Sequence, residues 1–201
     1  MGKVIVISGV PGVGKTIVAK KLAKILNAIH IDLSEYVIRN KLYTEYDNET
    51  NSYVIDEDKV RQAIESLAKK YERVIISSHY GELTPRNLVE KIIVLRLDPE
   101  ELEKRLEQRG WNRIKIIENI VAEILSVCTA NALREHGIDK IIEIDTTNKN
   151  IETIINEIIR ALENKVPKGP RIDWFERKPL EVLEKYLKEL ESLEKTHNII
   201  L

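Results

Sequence analysis

The chain has 201 residues, a formal net charge of -1, 43% hydrophobic residues and 32% charged residues. This composition suits one globular domain with an appendage; it excludes a global basic field that would attract nucleic acid, leaving only a local patch open. Cys128 is the one cysteine, so neither an intrachain disulfide nor a cysteine-based zinc cluster can form, and its apolar surroundings predict a core residue.

The chain runs directly into the apolar stretch Lys3-Val4-Ile5-Val6-Ile7, with no signal-peptide layout. No apolar run approaches the roughly 20 residues needed to span a bilayer. The expectation is a cytoplasmic protein with no membrane partner.

Short β-branched runs alternate with longer amphipathic ones. Lys3–Ser8 reads as a strand and Gly14–Leu26 as a helix. Ala28–Ile31 is the second strand. Asp32–Ile55 then breaks the rhythm, being polar and rich in tyrosine (Tyr36, Tyr43, Tyr46, Tyr53). The helix Asp56–Lys70, the strands Arg73–Ser77 and Ile92–Leu97, and the helix Pro99–Gln108 follow. Gln108–Glu118 is short, basic and punctuated by Gly110. Ile114–Glu135 reads as one long helix, Ile141–Ile144 as the last strand and Ile151–Asn164 as the helix that covers it. Strands that are apolar throughout predict a parallel sheet covered on both faces. Val166-Pro167-Lys168-Gly169-Pro170 reads as a linker. Beyond it Leu180, Leu183, Leu187 and Leu190 have helical a/d spacing, which suits packing on the body or a partner surface.

Gly9-Val10-Pro11-Gly12-Val13-Gly14-Lys15-Thr16 fits the phosphate-loop pattern, between a strand and a helix. Its glycines let successive N–H groups face phosphate oxygens, and the helix N-terminus adds to that field. Lys15 is expected to reach the β- and γ-phosphates of ATP, and the Thr16 hydroxyl to bind Mg2+. Asn148-Lys149-Asn150-Ile151 begins like a guanine-reading motif but lacks its aspartate, which disfavours a GTPase.

Arg105, Arg109 and Arg113 recur every four residues and share one face if that run is helical. Arginines on a mobile flap would neutralise a phosphate in transfer. His79 follows the strand Arg73–Ser77, where parallel sheets bind ligands; it is a candidate to orient a water or the γ-phosphate, or a satisfied core histidine. Asp32 is a candidate for a magnesium-bound water and equally for a helix cap. His30, His136 and His197 read as structural or exposed.

The loop Gly9–Thr16, Leu42-Tyr43, Tyr46-Asp47, Asp56-Glu57-Asp58, Ser78-His79-Tyr80, Arg105–Gly110, Glu118-Asn119-Ile120 and Ala122-Glu123 together resemble adenylate kinase isoenzyme 6, the family of the nuclear CINAP protein and its yeast and archaeal relatives. An archaeal member is the expectation. The resemblance spans residues 3–164. It implies a P-loop α/β fold: a five-stranded doubly wound parallel sheet of adenylate kinase type over residues 1–165. Residues 32–55 would form the monophosphate insertion and 108–118 the lid, with a linker and extra helix over 166–201. It implies ATP and AMP giving two ADP with broad specificity, ATPase activity, and a role in small ribosomal subunit maturation. The implied partner is a platform ribosomal protein of the S-eleven kind, with rRNA reached through it. The implied nucleotide contacts are Gly9, Gly12, Val13, Gly14, Lys15, Thr16 and Ile17, with Arg109 from the lid; Asn148 and Lys149 border the adenine. Lys15, Arg109, His79 and Arg105 are the catalytic candidates, and Thr16 and Asp32 the metal candidates.

Three departures stand out. Many members carry an aspartate where this chain has Ser77, so magnesium must depend on Thr16, waters and Asp32. Other adenylate kinases place an arginine early in the insertion, where simple spacing here puts Ile38, next to Arg39. The tail from Val166 lies past the common core. Two other functions stay open: an ATP-driven assembly factor with secondary kinase activity, and a small-metabolite kinase of the shikimate or gluconate type.

Overall fold

The computed structural model describes residues 2–47 and 52–200. Five parallel strands form one sheet: β1 (Lys3–Ser8), β2 (Ile29–Asp32), β5 (Arg73–Ser77), β6 (Val89–Arg96) and β7 (Ile141–Asp145), in the order β2-β5-β1-β6-β7. Side chains alternate across a strand, and here both faces are apolar. Ile5 and Ile7 of β1 face one core layer, and Val4 and Val6 the other. Ile93 and Leu95 of β6 divide from Ile92 and Val94 in the same way. The continuous apolar runs of the sequence are the cost of burying a sheet on two sides.

Helices α1 (Lys15–Ile25), α4 (Pro99–Gln108), α5 (Arg113–Ile124) and α7 (Ile151–Leu162) cover the Ile5 face. Helices α2 (Leu33–Arg39), α3 (Glu57–Lys70) and α6 (Val127–His136) cover the Val4 face. Side-chain caps fix most of the helix starts. Asp32, Asp56, Asp98, Asn112 and Asn150 each accept a backbone N–H in the first turn of the helix that follows.

The polar stretch 32–55 holds α2 and an antiparallel hairpin, β3 (Tyr43–Asp47) with β4 (Ser52–Ile55). Residues 48–51 of the expected insertion lie outside the described residues. Tyr53 of the hairpin stacks on Tyr43 and Tyr46, with ring centroids 4.4 and 5.0 Å away.

Two expectations need correction. Ile114–Glu135 is two helices, α5 and α6, which meet at 52°. Ser126 turns the chain with a φ of 56°, a left-handed conformation that the apolar periodicity running through it conceals. Arg105, Arg109 and Arg113 do not share one helical face. Helix α4 stops at Gln108, Gly110 adopts a φ of 70°, and Arg113 begins a new helix capped by Asn112.

The tail joins the body closely. Gly169 donates its N–H to the Ile141 carbonyl at 2.8 Å. A short helix α8 (Trp174–Arg177) and the long α9 (Leu180–Ile200) follow. Ile172, Trp174, Leu183 and Tyr186 are buried in the core layer on the Ile5 face. Among the described residues no single helix is long and apolar enough to cross a membrane.

One buried ion cluster ties this tail to the sheet. Arg96 of β6 is 1% exposed. Its Nε donates to Glu123 of α5 at 2.7 Å, and a terminal nitrogen donates to Glu143 of β7. Glu123 also accepts the Trp174 indole N–H at 2.9 Å, and Glu143 accepts the Arg171 and Ile172 N–H groups at 2.6 and 2.8 Å. Burial pushes the Glu123 carboxyl up to about 7, while Arg96 opposes that rise. Removing one partner of such a set leaves uncompensated charge in the interior. Arg96→Met is expected to destabilise the fold by about 3–5 kcal/mol; chemical denaturation of the variant beside wild type checks this.

Candidate active site

The loop 9–16 leaves the carboxyl end of β1, the central strand. Gly9 has a φ of 132° and Gly12 a φ of 100°, both in the region that favours glycine. A Cβ on Gly9 would sit 2.5 Å from the Leu95 carbonyl oxygen, and one on Gly12 2.7 Å from Leu102 Cδ1. The loop is thus pressed against β6 at Gly9 and against α4 at Gly12, with no room for a side chain at either position. Val13 is buried in the core, which anchors the loop from below. Helix α1 starts after Gly14 with no side-chain cap and no acidic residue in its first turn. Its first N–H groups therefore remain directed at the loop's concave side, an anion-binding arrangement.

Lys15 lies under this loop and donates to the Val10 carbonyl at 3.0 Å. Burial lowers its ammonium pKa to about 8; Asp32 works against that shift and Arg109 adds to it. A phosphate would replace the Val10 carbonyl as its partner.

Asp32 ends β2 beside Ser77 of β5, its partner in register. One carboxylate oxygen accepts from the Thr16 hydroxyl at 2.9 Å and from the Ser77 hydroxyl at 3.2 Å. The other accepts the Glu35 N–H at 3.4 Å. Asp32 is therefore both a helix cap and a member of the phosphate-loop cluster. His30 lies 2.9 Å from the Ser77 hydroxyl and extends the chain of contacts. The cluster offers oxygen donors of the kind magnesium selects, and magnesium commonly takes only one or two protein carboxylates. The residues present fit that ion.

A cleft of about 300 Å³ lies above the loop, lined by Gly12, Lys15, Thr16, Asp32, Arg109 and Trp111 among others. Ile17, 68% exposed, lies on its rim. A second cavity of about 320 Å³ adjoins it, between α2, the hairpin and the loop after β5. Ser34, Ser78 and His79 line both. The second cavity is apolar, with Leu33, Val37, Ile38, Tyr53 and Ile55 in its wall. None of the described residues that line it is lysine or arginine, and Ile38, not Arg39, faces it.

His79 stands at the junction. Burial lowers its pKa to about 4, and the positive charge of Lys15 adds to the shift. The imidazole is neutral at physiological pH, so it can orient a group but carries no charge to offset phosphate.

Other expected site residues lie elsewhere. Arg105 does not line the cleft; it pairs with Glu101 and lies 3.4 Å from the Gly12 carbonyl, supporting the loop from behind. Lys149 pairs with Glu157 at 2.7 Å and also lies off the cleft. The Asn148 N–H donates to Glu101 at 3.3 Å, so the loop after β7 meets the same support. Arg113 points to Glu103 and Glu189. Sequence reasoning missed Trp111 and His30 as site members, and it noted Ser77 only as the place of a missing aspartate. Trp111 stood beside Arg109 in the basic run, but the partners of His30 and Ser77 appear only once β2 and β5 are paired.

Fold and loop together define a P-loop protein of kinase fold. Shikimate kinase from Bacteroides thetaiotaomicron shares this fold: TM-score 0.54, 20% identity, over 80% of this chain and 98% of that one. A family model described as an AAA domain matches residues 5–126. A Saccharolobus islandicus protein named "Putative adenylate kinase" is 44% identical over 172 residues, 86% of this chain and 87% of the relative. A Methanocaldococcus jannaschii protein of the same name is 42% identical over 173 residues, 86% of this chain and 93% of the relative. The chain belongs to the family of these archaeal proteins.

The buried Lys15 makes a prediction about pH. Its charged form, the one that would hold a phosphate, predominates below about 8 and is lost above it. Nucleoside triphosphate binding is expected to weaken by ~10-fold between pH 7 and 9.5, with proton uptake on binding near pH 8. Calorimetric titrations at the two pH values check the sign.

Proposed function

We propose that this protein transfers the γ-phosphate of ATP to AMP or another nucleoside monophosphate. The observation that carries the reading is the pair of adjoining cavities that share Ser34, Ser78 and His79 in their walls. One has the cationic and hydroxyl lining of a phosphate site, and the other has the apolar, aromatic lining that suits a base. The names of the archaeal relatives agree with it. The proposed nucleotide contacts are Gly9, Gly12, Val13, Gly14, Lys15, Thr16 and Ile17; Asn148 and Lys149 lie off the cleft and are proposed for the adenine on the family resemblance alone. Mg2+ would be held by Thr16 and, through Asp32, by its waters; when bound it offsets charge on the phosphates. Lys15 and Arg109 flank the group in transfer, while Arg105 supports the loop. Of the expected lid 108–118, residues from Arg113 on belong to α5, and the turn 109–112 is proposed to carry Arg109 over the phosphate site, in a cytoplasmic setting.

A second reading rests on a specific observation. The acceptor cavity presents no cation to a monophosphate among its described residues. This favours weak AMP binding and an ATPase that works on a macromolecular partner. The resemblance to adenylate kinase isoenzyme 6 points to a platform protein of the small ribosomal subunit and a role in its maturation. A small-metabolite kinase finds less support, because the Bacteroides shikimate kinase likeness extends to the fold alone.

The test is a product assay with magnesium-ATP, with and without AMP. ADP formed at the expense of AMP, with little free phosphate, supports the kinase. Phosphate release indifferent to AMP supports the ATPase, and no reaction under either condition contradicts both. Lys15→Ala is expected to abolish turnover. Arg109→Ala is expected to lower kcat by ~100-fold or more while ATP binding changes little, since a guanidinium on the moving phosphate acts mainly in the transition state.

A further inference from the structure

The tail beyond α7 ends in α9, which contacts both helices that flank the turn carrying Arg109. Arg113, the first residue of α5, lies four positions after Arg109 across that turn. Its Nε and one terminal nitrogen donate to the two oxygens of Glu189 on α9, at 2.6 and 2.7 Å. Its other terminal nitrogen donates to Glu103 of α4 at 2.6 Å. Glu103 also accepts the Tyr186 hydroxyl of α9 at 2.7 Å. Tyr186 is 1% exposed and Leu183 is fully buried, so α9 is anchored in the core. A two-point arginine–carboxylate contact fixes orientation as well as distance. Both helices that flank the turn 109–112 are thus tied to the same third helix.

We propose that α9 is a brace that holds Arg109 at the phosphoryl site, with Arg113 and Glu189 as positioning residues. This rests on the phosphotransferase reading above. A flap organised only by substrate spends binding free energy on its own ordering. A turn fixed on three helices meets the substrate with its arginine in place. Loosening the brace lowers the fraction of molecules in which Arg109 is positioned, and kcat falls with that fraction. ATP affinity changes less, because the loop 9–16 supplies the ground-state contacts. The rival account is an ordinary surface ion pair, worth about 0–1 kcal/mol of stability and nothing to the reaction.

The experiment is a double-mutant cycle on the full chain with Glu189→Gln, Arg109→Ala and both together. It reads kcat, KM for ATP and Tm. Glu189→Gln is expected to lower kcat by about 10-fold with little change in KM or Tm, and to cause no further loss in the Arg109→Ala background. An unchanged kcat, or the same loss in both backgrounds, overturns the proposal. Hydrogen exchange of the amides of residues 109–112 is read in parallel. Faster exchange in Glu189→Gln is expected; unchanged exchange overturns the brace whether or not the protein transfers phosphate. Absence of any transfer by the wild type would count against the kinase reading instead.

Discussion

Asp32 shares one carboxylate among three elements that are distant in the chain. It caps α2, which walls the apolar cavity. It accepts from Thr16, the second residue of α1, and from Ser77 at the end of β5. The phosphate loop, the sheet edge and the acceptor wall are therefore referenced to a single acidic group. Lys15 lies close enough for that charge to oppose the desolvation of its ammonium. Loss of the carboxylate would leave two hydroxyls and a helix start without their acceptor.

Around that point the chemistry is divided by polarity. On one side are backbone N–H groups, Lys15 and Arg109; on the other are aliphatic side chains and Tyr53. His79 joins the two and stays neutral because burial and Lys15 both disfavour its cation. The apolar side distinguishes a base from water well but offers a phosphate little. That asymmetry is why the kinase and ATPase readings diverge at the acceptor and agree at the donor. The turn 109–112 belongs to the donor side, and the two helices that flank it are both tied to α9.

The sequence made the donor half legible because that half is local. Eight consecutive residues between a strand and a helix define the loop, and β1 could be read from its unbroken apolar run. The Asp32–Ser77–His30 contacts were not legible, since they depend on β2 lying beside β5 in a particular register. His30 was expected to be structural or exposed, and it lies in hydrogen-bond contact with the cluster. The break at Ser126 was hidden because apolar periodicity continues through it while a non-glycine residue takes a positive φ. Arg96 and Glu143 carried no signal either, and Glu123 entered only as part of the family resemblance. Charged residues are normally exposed, and only the fold reveals that these three compensate one another inside. The tail was read as a linker and an amphipathic helix, and its burial on the Ile5 face follows from Leu183 and Tyr186. Its link to the Arg109 turn required the position of Glu189.

The most direct test of the account is the magnesium dependence of ATP turnover in Asp32→Asn beside wild type. Asparagine keeps the size and the helix cap but removes the charge. If Asp32 organises the loop and the metal's waters, half-saturation by magnesium should rise by ~10-fold or more. An unchanged magnesium requirement with full activity would contradict the central place given to this carboxylate.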